Sequence, residues 1–434
     1  MRMLRALTLD AGLNGKGSSG YEDGIHLDFA RGTYYVKAAN NAPTNAALTS
    51  LFTFTGGNQS MYMGPSGLLV QSVTNTPRIE YDANGNCLGL LMEAARTNLC
   101  PQSQTLGTTW GTVTASISSN SGVSTAPDGS STADVLVEDA TPTTVHQVSQ
   151  GITFTALTVY TFSIWAKARE RSFIELRYSA GFGSVVLAYF NLTTGAVGTT
   201  SGTTSTSVTA YQNGWYRCSI TATSGAAPAG GEVVIRLANA DGGETYSGDN
   251  TSGVYLWGAQ VEAGAFHSSY IPTTTGSVAR TADRCLRTLG SEFSASAGTL
   301  VVQGDVANSV GATPAIVALH NNAGTGAEEM ILYANAGARR WIVTDGGVAQ
   351  GNVLAGSITD GASGKMAAVY TANDLDLAVN GVMSGVQDTS ATLPTVTRMD
   401  LMRQDASAIT LGHILRLDYW PERKSNTYLQ QATF

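Results

Sequence analysis

The chain has 434 residues, of which only 13% are charged, and its formal net charge is −8. This length exceeds what one hydrophobic core supports, so we expect two or three domains. The basic residues are scattered and form no stripe that would neutralise phosphates, which excludes nucleic acid as an expected partner. No apolar run reaches the roughly 20 residues that cross a bilayer, so no membrane insertion is expected either.

Composition indicates an all-β protein. The 49 glycines exceed the usual share, and Ser, Thr and Asn supply the polarity that charged residues supply elsewhere. This balance is typical of many short strands and turns. The four cysteines, Cys87, Cys100, Cys218 and Cys285, lie far apart without C-x-x-C spacing, so we interpret them as buried thiols.

The N-terminal 100 residues predict attachment and connecting segments. Residues 1–30 contain the glycine-rich stretch Gly12–Gly20, which has a linker composition, and we expect a tether that docks on another protein. Residues 31–100 alternate in short segments such as Thr33–Val36 and Ser60–Met63, and they predict a β-rich arm.

Residues 101–275 predict the first antiparallel β-sandwich, of jelly-roll or similar type. Apolar alternation recurs at regular spacing with turn clusters between the segments. The candidate strands are Thr158–Ala168, Ser172–Ser179, Ser184–Leu192, Trp215–Thr223, Glu232–Asn239 and Gly253–Val261.

A linker at 276–290 and a second antiparallel sandwich at 291–434 follow. In the second sandwich Leu375 and Leu377 are expected to face inward, and Asp374 and Asp376 outward. A short helix is expected over Glu422–Thr433, because Pro421 can stand at its start. The candidate strands are Thr299–Val306, Ala315–His320, Met330–Ala334, Arg340–Val343, Met366–Tyr370, Asp374–Val379, Met399–Arg403 and Ile414–Trp420.

Three stretches together resemble a class of tailed-bacteriophage virion structural proteins. Pro77–Asp82 leading into Leu90–Leu99 looks like the segment before a carbohydrate-binding-module-like domain, and Trp257–Gly264 running to Ser269–Thr274 is similar to the end of that domain. Leu377–Gly381, Leu411–Ile414 and Leu417–Pro421 look like the closing strands of a concanavalin A-like, or laminin-G-like, sandwich. The resemblance implies a role in a particle and no chemistry.

Sugar binding is the functional hypothesis for the first sandwich. Strand parity places Trp165 on the polar face with Lys167, where an exposed ring would stack on a pyranose. Tyr178, Trp215, Arg217 and Tyr246 complete the candidate carbohydrate site if the sheets order suitably. The alternative is that Trp165 fills a second core layer beneath a loop, because large aromatic side chains are mostly buried.

The sequence carries no strong catalytic or metal signal. Asp374-x-Asp376 has the parity of a glycosidase pair, but its position beside the Asn380-Gly381 turn favours a surface charge pair. The five histidines have no metal-ligand or triad spacing. Asp82–Asn86 is a fragment of a calcium loop without the closing acid, so a plain turn is favoured and no cofactor is expected.

The resemblance, together with the lack of a strong catalytic signal, implies a non-enzymatic, homo-oligomeric virion protein that is assembled in the host bacterial cytoplasm. We expect partners among other virion proteins, reached through the N-terminal segment, and among host-surface glycans. Tail fibre, head fibre and capsid decoration all stay open. The alternatives from other classes are a polysaccharide depolymerase and a purely architectural capsid cement protein.

Overall fold

A computed structural model shows that the chain forms two compact units, one of which is continuous in sequence. Residues 54–284 form the unit that we call the inserted unit, and residues 21–53 with 285–434 form the unit that we call the split unit. The described residues are 21–122, 124–228, 230–307, 315–321, 326–335, 337–385, 387–402 and 411–434.

Nearly all elements are strands. Before residue 54 they are β1 Gly24–Asp28, β2 Thr33–Lys37, β3 Thr44–Asn45, helix α1 Leu48–Leu51 and the start of β4 Thr53–Thr55. The following elements run to residue 283: β5 Met61–Met63, β6 Leu69–Gln71, β7 Arg78–Tyr81, β8 Cys87–Met92, β9 Arg96–Asn98, α2 Leu106–Thr109, β10 Gly111–Val113, β11 Ala115–Ser118, β12 Asp134–Glu138, β13 Gln147–Gly151, β14 Val159–Ala168, β15 Phe173–Ala180, β16 Val186–Asn191, β17 Ala196–Ser201, β18 Ser205–Ala210, a 3-10 turn Gln212–Gly214, β19 Trp215–Thr223, β20 Glu232–Ala238, β21 Gly253–Ala263 and β22 Val278–Arg280.

The remaining elements begin near the second boundary between the units. They are β23 Arg284–Thr288, β24 Ala297–Ala307, β25 Ala315–His320, β26 Glu329–Asn335, β27 Ala338–Asp345, β28 Val348–Ser357, β29 Gly364–Thr371, β30 Asp374–Val379, β31 Val382–Met383, β32 Arg398–Leu401, β33 Leu411–Trp420 and α3 Asn426–Thr433.

The inserted unit is a sandwich of two six-stranded antiparallel sheets. One sheet has the strand order β10-β13-β20-β15-β16-β17, and the other has the order β11-β12-β21-β14-β19-β18. Alternate side chains of both sheets face a shared apolar core, as period-2 patterning requires. Ile174 and Leu176 of β15, Phe162 and Ile164 of β14, and Ile220 of β19 are all buried there.

The split unit also has two antiparallel layers, and its first strands pair with its last. One sheet runs β3-β2-β1-β33-β24-β29-β30-β31, and the other contains β28-β27-β26-β25-β32-β23. Strand β1 lies directly against β33, with Ile25 opposite Tyr419 and Leu27 opposite Leu417. Residues distant in sequence therefore complete one sheet.

Helix α3 covers part of the outward face of the first of these sheets. Ser425 is its N-cap and accepts a hydrogen bond from the Tyr428 backbone N–H, so the helix begins at Asn426 and not beside Pro421 as predicted. Leu429 of the helix packs with Val301 and Ala367. Asp376 points to the outward face of its sheet, as predicted. It is nevertheless buried, because helix α3 covers this part of the face.

The predicted fold class, all-β with two antiparallel sandwiches, is confirmed by these sheets. The observed grouping differs from the predicted segments 1–30, 31–100 and 276–290. Of the predicted tether, residues 1–20 lie outside the described residues, and Gly24–Asp28 forms β1. The predicted linker at 276–290 contains strands β22 and β23.

Two simpler expectations can be compared with the structure directly. Cys100, Cys218 and Cys285 are buried thiols, as predicted, whereas Cys87 is half-buried because it lies at a strand end next to a turn. Among the helices of the described ranges, none has the length and apolar character that a bilayer crossing needs.

Candidate functional site

The tryptophans predicted to stack on a sugar lie inside the inserted unit. Trp165 is 0% exposed and Trp215 is 1% exposed, and both belong to a second apolar layer outside the β14–β19 sheet. The prediction that Trp165 is exposed is therefore wrong, and the alternative that it fills a second core layer describes its position. The other buried members of this layer are Met61, Leu69, Ala126, Ala133, Val135, Tyr255, Trp257 and Tyr270.

Arg217 and Lys167 form hydrogen bonds with the segments that cover this second layer. The guanidinium of Arg217 lies 4.2 Å from the centroid of the Trp165 ring and donates to the Ser268 carbonyl at 2.9 Å. Burial lowers the pKa of Arg217. Lys167 Nζ donates to Ser124 Oγ at 3.1 Å. Both cations therefore donate to protein groups. In a solvent-facing sugar site these donors would be available to the ligand.

Tyr178 and Tyr246 lie apart from this layer. Tyr178 is buried between the two sheets, where its ring stacks on Phe182 at 4.0 Å. The Tyr246 hydroxyl donates to Glu138 at 2.7 Å, beneath the guanidinium of Arg171. The structure therefore places Trp165, Lys167, Trp215 and Arg217 on one face of one sheet and does not bring these two tyrosines to it.

A different polar surface lies on the outward face of the β10–β17 sheet. Strand pairing places Gln147 of β13, Arg236 of β20, Glu175 of β15 and Tyr189 of β16 directly opposite one another. We call these four residues, together with Arg177 two residues after Glu175 on the same face of β15, the polar row. Their neighbours in sequence face the apolar core, so alternation along each strand directs the row outward.

Within the polar row two guanidinium groups lie over one carboxyl group. Arg177 Nη1 donates to Glu175 Oε1 at 3.0 Å, and Arg236 Nη1 lies 3.8 Å from the same oxygen. Arg236 Nε also donates to Gln147 Oε1 at 2.8 Å. Glu175 is 0% exposed, whereas each arginine side chain keeps 17% of its surface exposed. The cations are thus the accessible part of the cluster.

Tyr189 connects Glu175 to a second carboxyl group. Its hydroxyl lies 2.9 Å from Glu175 Oε2 and also contacts Glu244. A phenol has a single hydrogen to donate, so both contacts are hydrogen bonds only when one carboxyl group is protonated. Burial raises the pKa of Glu175. Burial also acts to raise the pKa of Glu244, but hydrogen bonding, chiefly from Tyr189, outweighs it and lowers that pKa. A neutral Glu175 that donates to Tyr189, which then donates to Glu244, satisfies all three groups.

This surface presents hydrogen-bond donors beside an apolar ring. Arg177 and Arg236 present planar donors, and Phe173 lies on the same face two residues before Glu175 with its side chain half-buried. Ligand sites commonly combine apolar rings with a few fixed polar groups. The sequence signal for this surface was available, because Glu175, Arg177 and Arg236 are charged residues inside predicted strands.

The aspartates weighed as a glycosidase pair contact other side chains of the split unit. Arg423 donates to both carboxylate oxygens of Asp374 at 3.0 Å each. Asp376 is buried and accepts a hydrogen bond from Asn426 Nδ2 at 2.8 Å, next to the start of α3. Both carboxylates therefore attach the segment around helix α3 to strand β30.

The predicted turn at Asp82–Asn86 binds its own backbone. Asp82 Oδ1 accepts from the N–H groups of Asn84 at 2.8 Å and Asn86 at 2.9 Å, and its pKa is lowered, chiefly by the hydrogen bond from the Asn86 side chain. Within the described ranges, no group of three His, Cys, Asp or Glu side chains is arranged to hold a metal ion.

Comparisons with known proteins find similarities of low sequence identity and low TM-score. No family model and no curated protein matches the sequence. The chain is similar to the CBM40 domain of Ruminococcus gnavus IT-sialidase bound to α2,3-sialyllactose, with 20% identity, a TM-score of 0.29, and coverage of 32% of this chain and 84% of that one.

Two other solved structures are similar over longer stretches. Trypanosoma rangeli sialidase is 10% identical with a TM-score of 0.28, over 74% of this chain and 62% of that chain. Domains LG4-5 of the mouse laminin α1 chain are 11% identical with a TM-score of 0.22, over 64% of this chain and 86% of that chain. At such identities and TM-scores, no property of these proteins transfers to this chain.

Proposed function

We propose that this chain is a homo-oligomeric bacteriophage virion structural protein, a tail fibre, head fibre or capsid decoration protein, whose inserted unit binds host-surface glycans. The virion part of the proposal is supported by the resemblance of residues 77–434 to such proteins. The glycan part is supported by the polar row.

The observation that carries the glycan proposal is the pair of half-buried guanidinium groups above buried Glu175. Glu175 and Glu244 lie beside two guanidinium groups, so the surface is close to neutral when both carboxyl groups are ionised and carries a single net positive charge when Glu175 is protonated. In either state the arginines can donate to hydroxyl groups, and the surface lacks the excess of cations that a polyanion would favour. Single contacts of this kind are weak, but several copies on one particle would add through effective concentration.

A glycan array with the purified chain tests the binding part. Arg177→Ala and Arg236→Ala should each lose binding while their circular dichroism spectra stay those of the wild type. Arg169→Ala is the matched control, because Arg169 is a partly exposed arginine of the same unit that pairs with neighbouring Glu170. An array on which the wild type binds nothing, or on which both row variants bind unchanged, removes this part of the proposal.

Immunogold labelling of purified phage particles tests the virion part. Label at the tail, at the head fibres or over the capsid would support a tail fibre, a head fibre or a decoration protein, respectively. Particles without label contradict the proposal. Light scattering of the purified chain measures the oligomeric state, and a monomer at all concentrations contradicts the multivalent mechanism.

A polysaccharide depolymerase is the second candidate, and one observation favours it. The pKa of Glu175 is raised while that of Glu244 is lowered. Carboxyl groups whose pKa values differ in this way serve as acid and base in some glycosidases. The complete burial of Glu175 argues against direct attack on a substrate. Clearing of a host-polysaccharide overlay by the wild type, abolished by Glu175→Gln, would establish the depolymerase and contradict a binding-only role.

A further inference from the structure

We infer that the split unit carries a second, separate saccharide site, in a groove beside the end of helix α3. The groove has a volume of about 450 Å³, which lies within the range of small-molecule sites. This inference goes beyond the proposed function, because it concerns the other unit and does not use the polar row. The residues that line the groove are Gln303, Ser363, Gly364, Lys365, Asn380, Thr433 and Phe434.

The groove exists because α3 covers only part of the outward face of its sheet. Beneath the helix this face is apolar, with Val301 and Ala367 opposite each other in the sheet register and both packed near Leu429. Two residues further along each strand the same face becomes polar, with Gln303 opposite Lys365. The change from apolar to polar side chains therefore coincides with the end of the helix.

Polar groups of the lining retain hydrogen-bonding capacity. No hydrogen bond connects the side-chain amide of Gln303 with the part of the chain that the structure describes. Lys365 Nζ donates to the Phe434 carbonyl at 3.2 Å, which uses one of the three hydrogens of an ammonium group. Asn380 Oδ1 accepts from the Lys365 backbone N–H at 2.9 Å, which fixes the amide at the edge of the groove.

An exposed aromatic ring flanks these polar groups. The side chain of Phe434 is 90% exposed. Its ring is nevertheless close to the hairpin turn, since a Cβ placed on Gly381 would lie 3.2 Å from Phe434 Cδ2. Thr433 Oγ1 accepts from the Gly381 N–H at 3.0 Å and holds the helix end against the same turn.

The combination fits a neutral oligosaccharide. A sugar ring has an apolar face that can stack on Phe434 and hydroxyl groups that can bond to the amides of Gln303 and Asn380 and to Lys365. None of the lining residues has a carboxylate side chain, so the acid pair expected of a glycosidase is missing from this lining. The groove therefore suits binding.

Saturation-transfer difference NMR tests the inference with the full chain and four probes: maltotriose, cellotriose, chitotriose and mannotriose, each at millimolar concentration. At least one probe should receive saturation from the protein. Phe434→Ala and Gln303→Ala should each weaken that probe's binding roughly fivefold or more, as expected for loss of a stacking contact or a fixed polar contact. Val348→Ala is the control, because it truncates another exposed apolar side chain of the split unit.

The outcomes separate this inference from the proposed function. Absence of saturation transfer to all four probes overturns the second site, and so does binding that is unchanged in both groove variants. If Arg177→Ala removes all binding while Phe434→Ala and Gln303→Ala leave it intact, the polar row is the site and the groove is refuted. If the groove variants lose binding and Arg177→Ala does not, the second site stands whatever the array shows for the inserted unit.

Discussion

Arg78 and Glu93 form an ion pair inside the inserted unit, with Arg78 Nη1 2.6 Å from Glu93 Oε2 and each residue 1% exposed. Arg280 also contacts Glu93, and Asp283 contacts Arg78, so two cations and two anions share one buried cluster. The two arginines hold the pKa of Glu93 well below its usual range although burial acts to raise it. The cluster connects strands β7 and β22 with the segments after β8 and β22.

Arg78→Met should strongly destabilise the inserted unit. The substitution leaves two carboxylates near one arginine, and breaking a buried ion pair from one side costs about 3–5 kcal/mol. The free energy of unfolding in urea, followed by tryptophan fluorescence, measures the loss. Arg169→Met, at the partly exposed Arg169–Glu170 pair, is the control and should change stability by less than about 1 kcal/mol. Equal effects of the two substitutions would contradict the role of the cluster.

Trp165→Ala should lower the stability of the inserted unit, because the buried ring contributes to the core and not to contacts with a ligand. The ring is enclosed by Tyr211, Trp257 and Tyr270, each with its centroid about 5.5 Å or less away. Removing a buried tryptophan costs about 3–5 kcal/mol through lost burial and the cavity left behind. Trp165→Phe should recover part of that loss in the same urea experiment. A Trp165→Ala protein as stable as the wild type would show that the second layer is not a core.

Gly258→Ala should destabilise the same layer through steric overlap. Ile164 of β14 faces both Gly258 and Ala259 of β21, which is a β-bulge, and Gly258 has φ +69°. A Cβ at this position would lie 2.8 Å from the Trp165 ring. Gly183→Ala is the matched control, because Gly183 has φ +70° with open space around the added carbon.

The control isolates the cost of the backbone conformation, about 1–2 kcal/mol for a residue with a side chain. The free energy of unfolding of the Gly258→Ala variant should fall by about 1–3 kcal/mol beyond that cost, which is typical of overpacking. Similar melting temperatures for the two variants would show that the ring and strand β14 shift easily.

The free energy of unfolding of the Glu175→Gln variant should increase, relative to that of the wild type, as the pH rises. The groups facing Glu175 are Arg177, Arg236, Tyr189 and Glu244, and burial outweighs the arginines and raises the pKa of Glu175. The folded protein therefore binds this proton more tightly than the unfolded chain, so wild-type stability falls as pH rises. The window opens near the ordinary glutamate value of about 4.3 and closes at the raised value.

Urea unfolding of both proteins at a series of pH values measures this difference. The glutamine side chain of the variant cannot ionise, so the variant lacks the loss of stability across the window. Glu170→Gln controls for the removal of one negative charge at an exposed position. A difference in unfolding free energy that stays constant or shrinks with rising pH would contradict a raised pKa for Glu175.

Period-2 alternation was sufficient to predict most of the long strands, but half of the strands of the inserted sandwich, among them β12, β13, β17 and β18, were not predicted. The predicted bounds of Trp215–Thr223, Ala315–His320 and Asp374–Val379 match the structure to the residue. Strand Val348–Ser357 was not predicted, since two glycines and several small side chains weaken its alternation. The helix began later than predicted because Ser425 provides the cap.

The candidate site was harder to predict than the fold. Parity correctly placed Trp165 and Lys167 on one face, but exposure depends on what covers that face. The cover comes from residues such as Met61, Ala126 and Tyr270, which are distant in sequence from strand β14. The polar row depends on which strands are neighbours, and Gln147 with Arg236 becomes a pair only once β13 is known to lie beside β20.

The pairing of β1 with β33 sets the order in which the chain can fold during synthesis. Strand β1 is synthesised before residues 54–284, but its partner β33 is synthesised after them. Residues 54–284 can meanwhile complete both of their sheets from contiguous sequence. The first strands therefore keep one edge unpaired until β33 has been synthesised, and a product truncated before β33 would leave that edge open to aggregation.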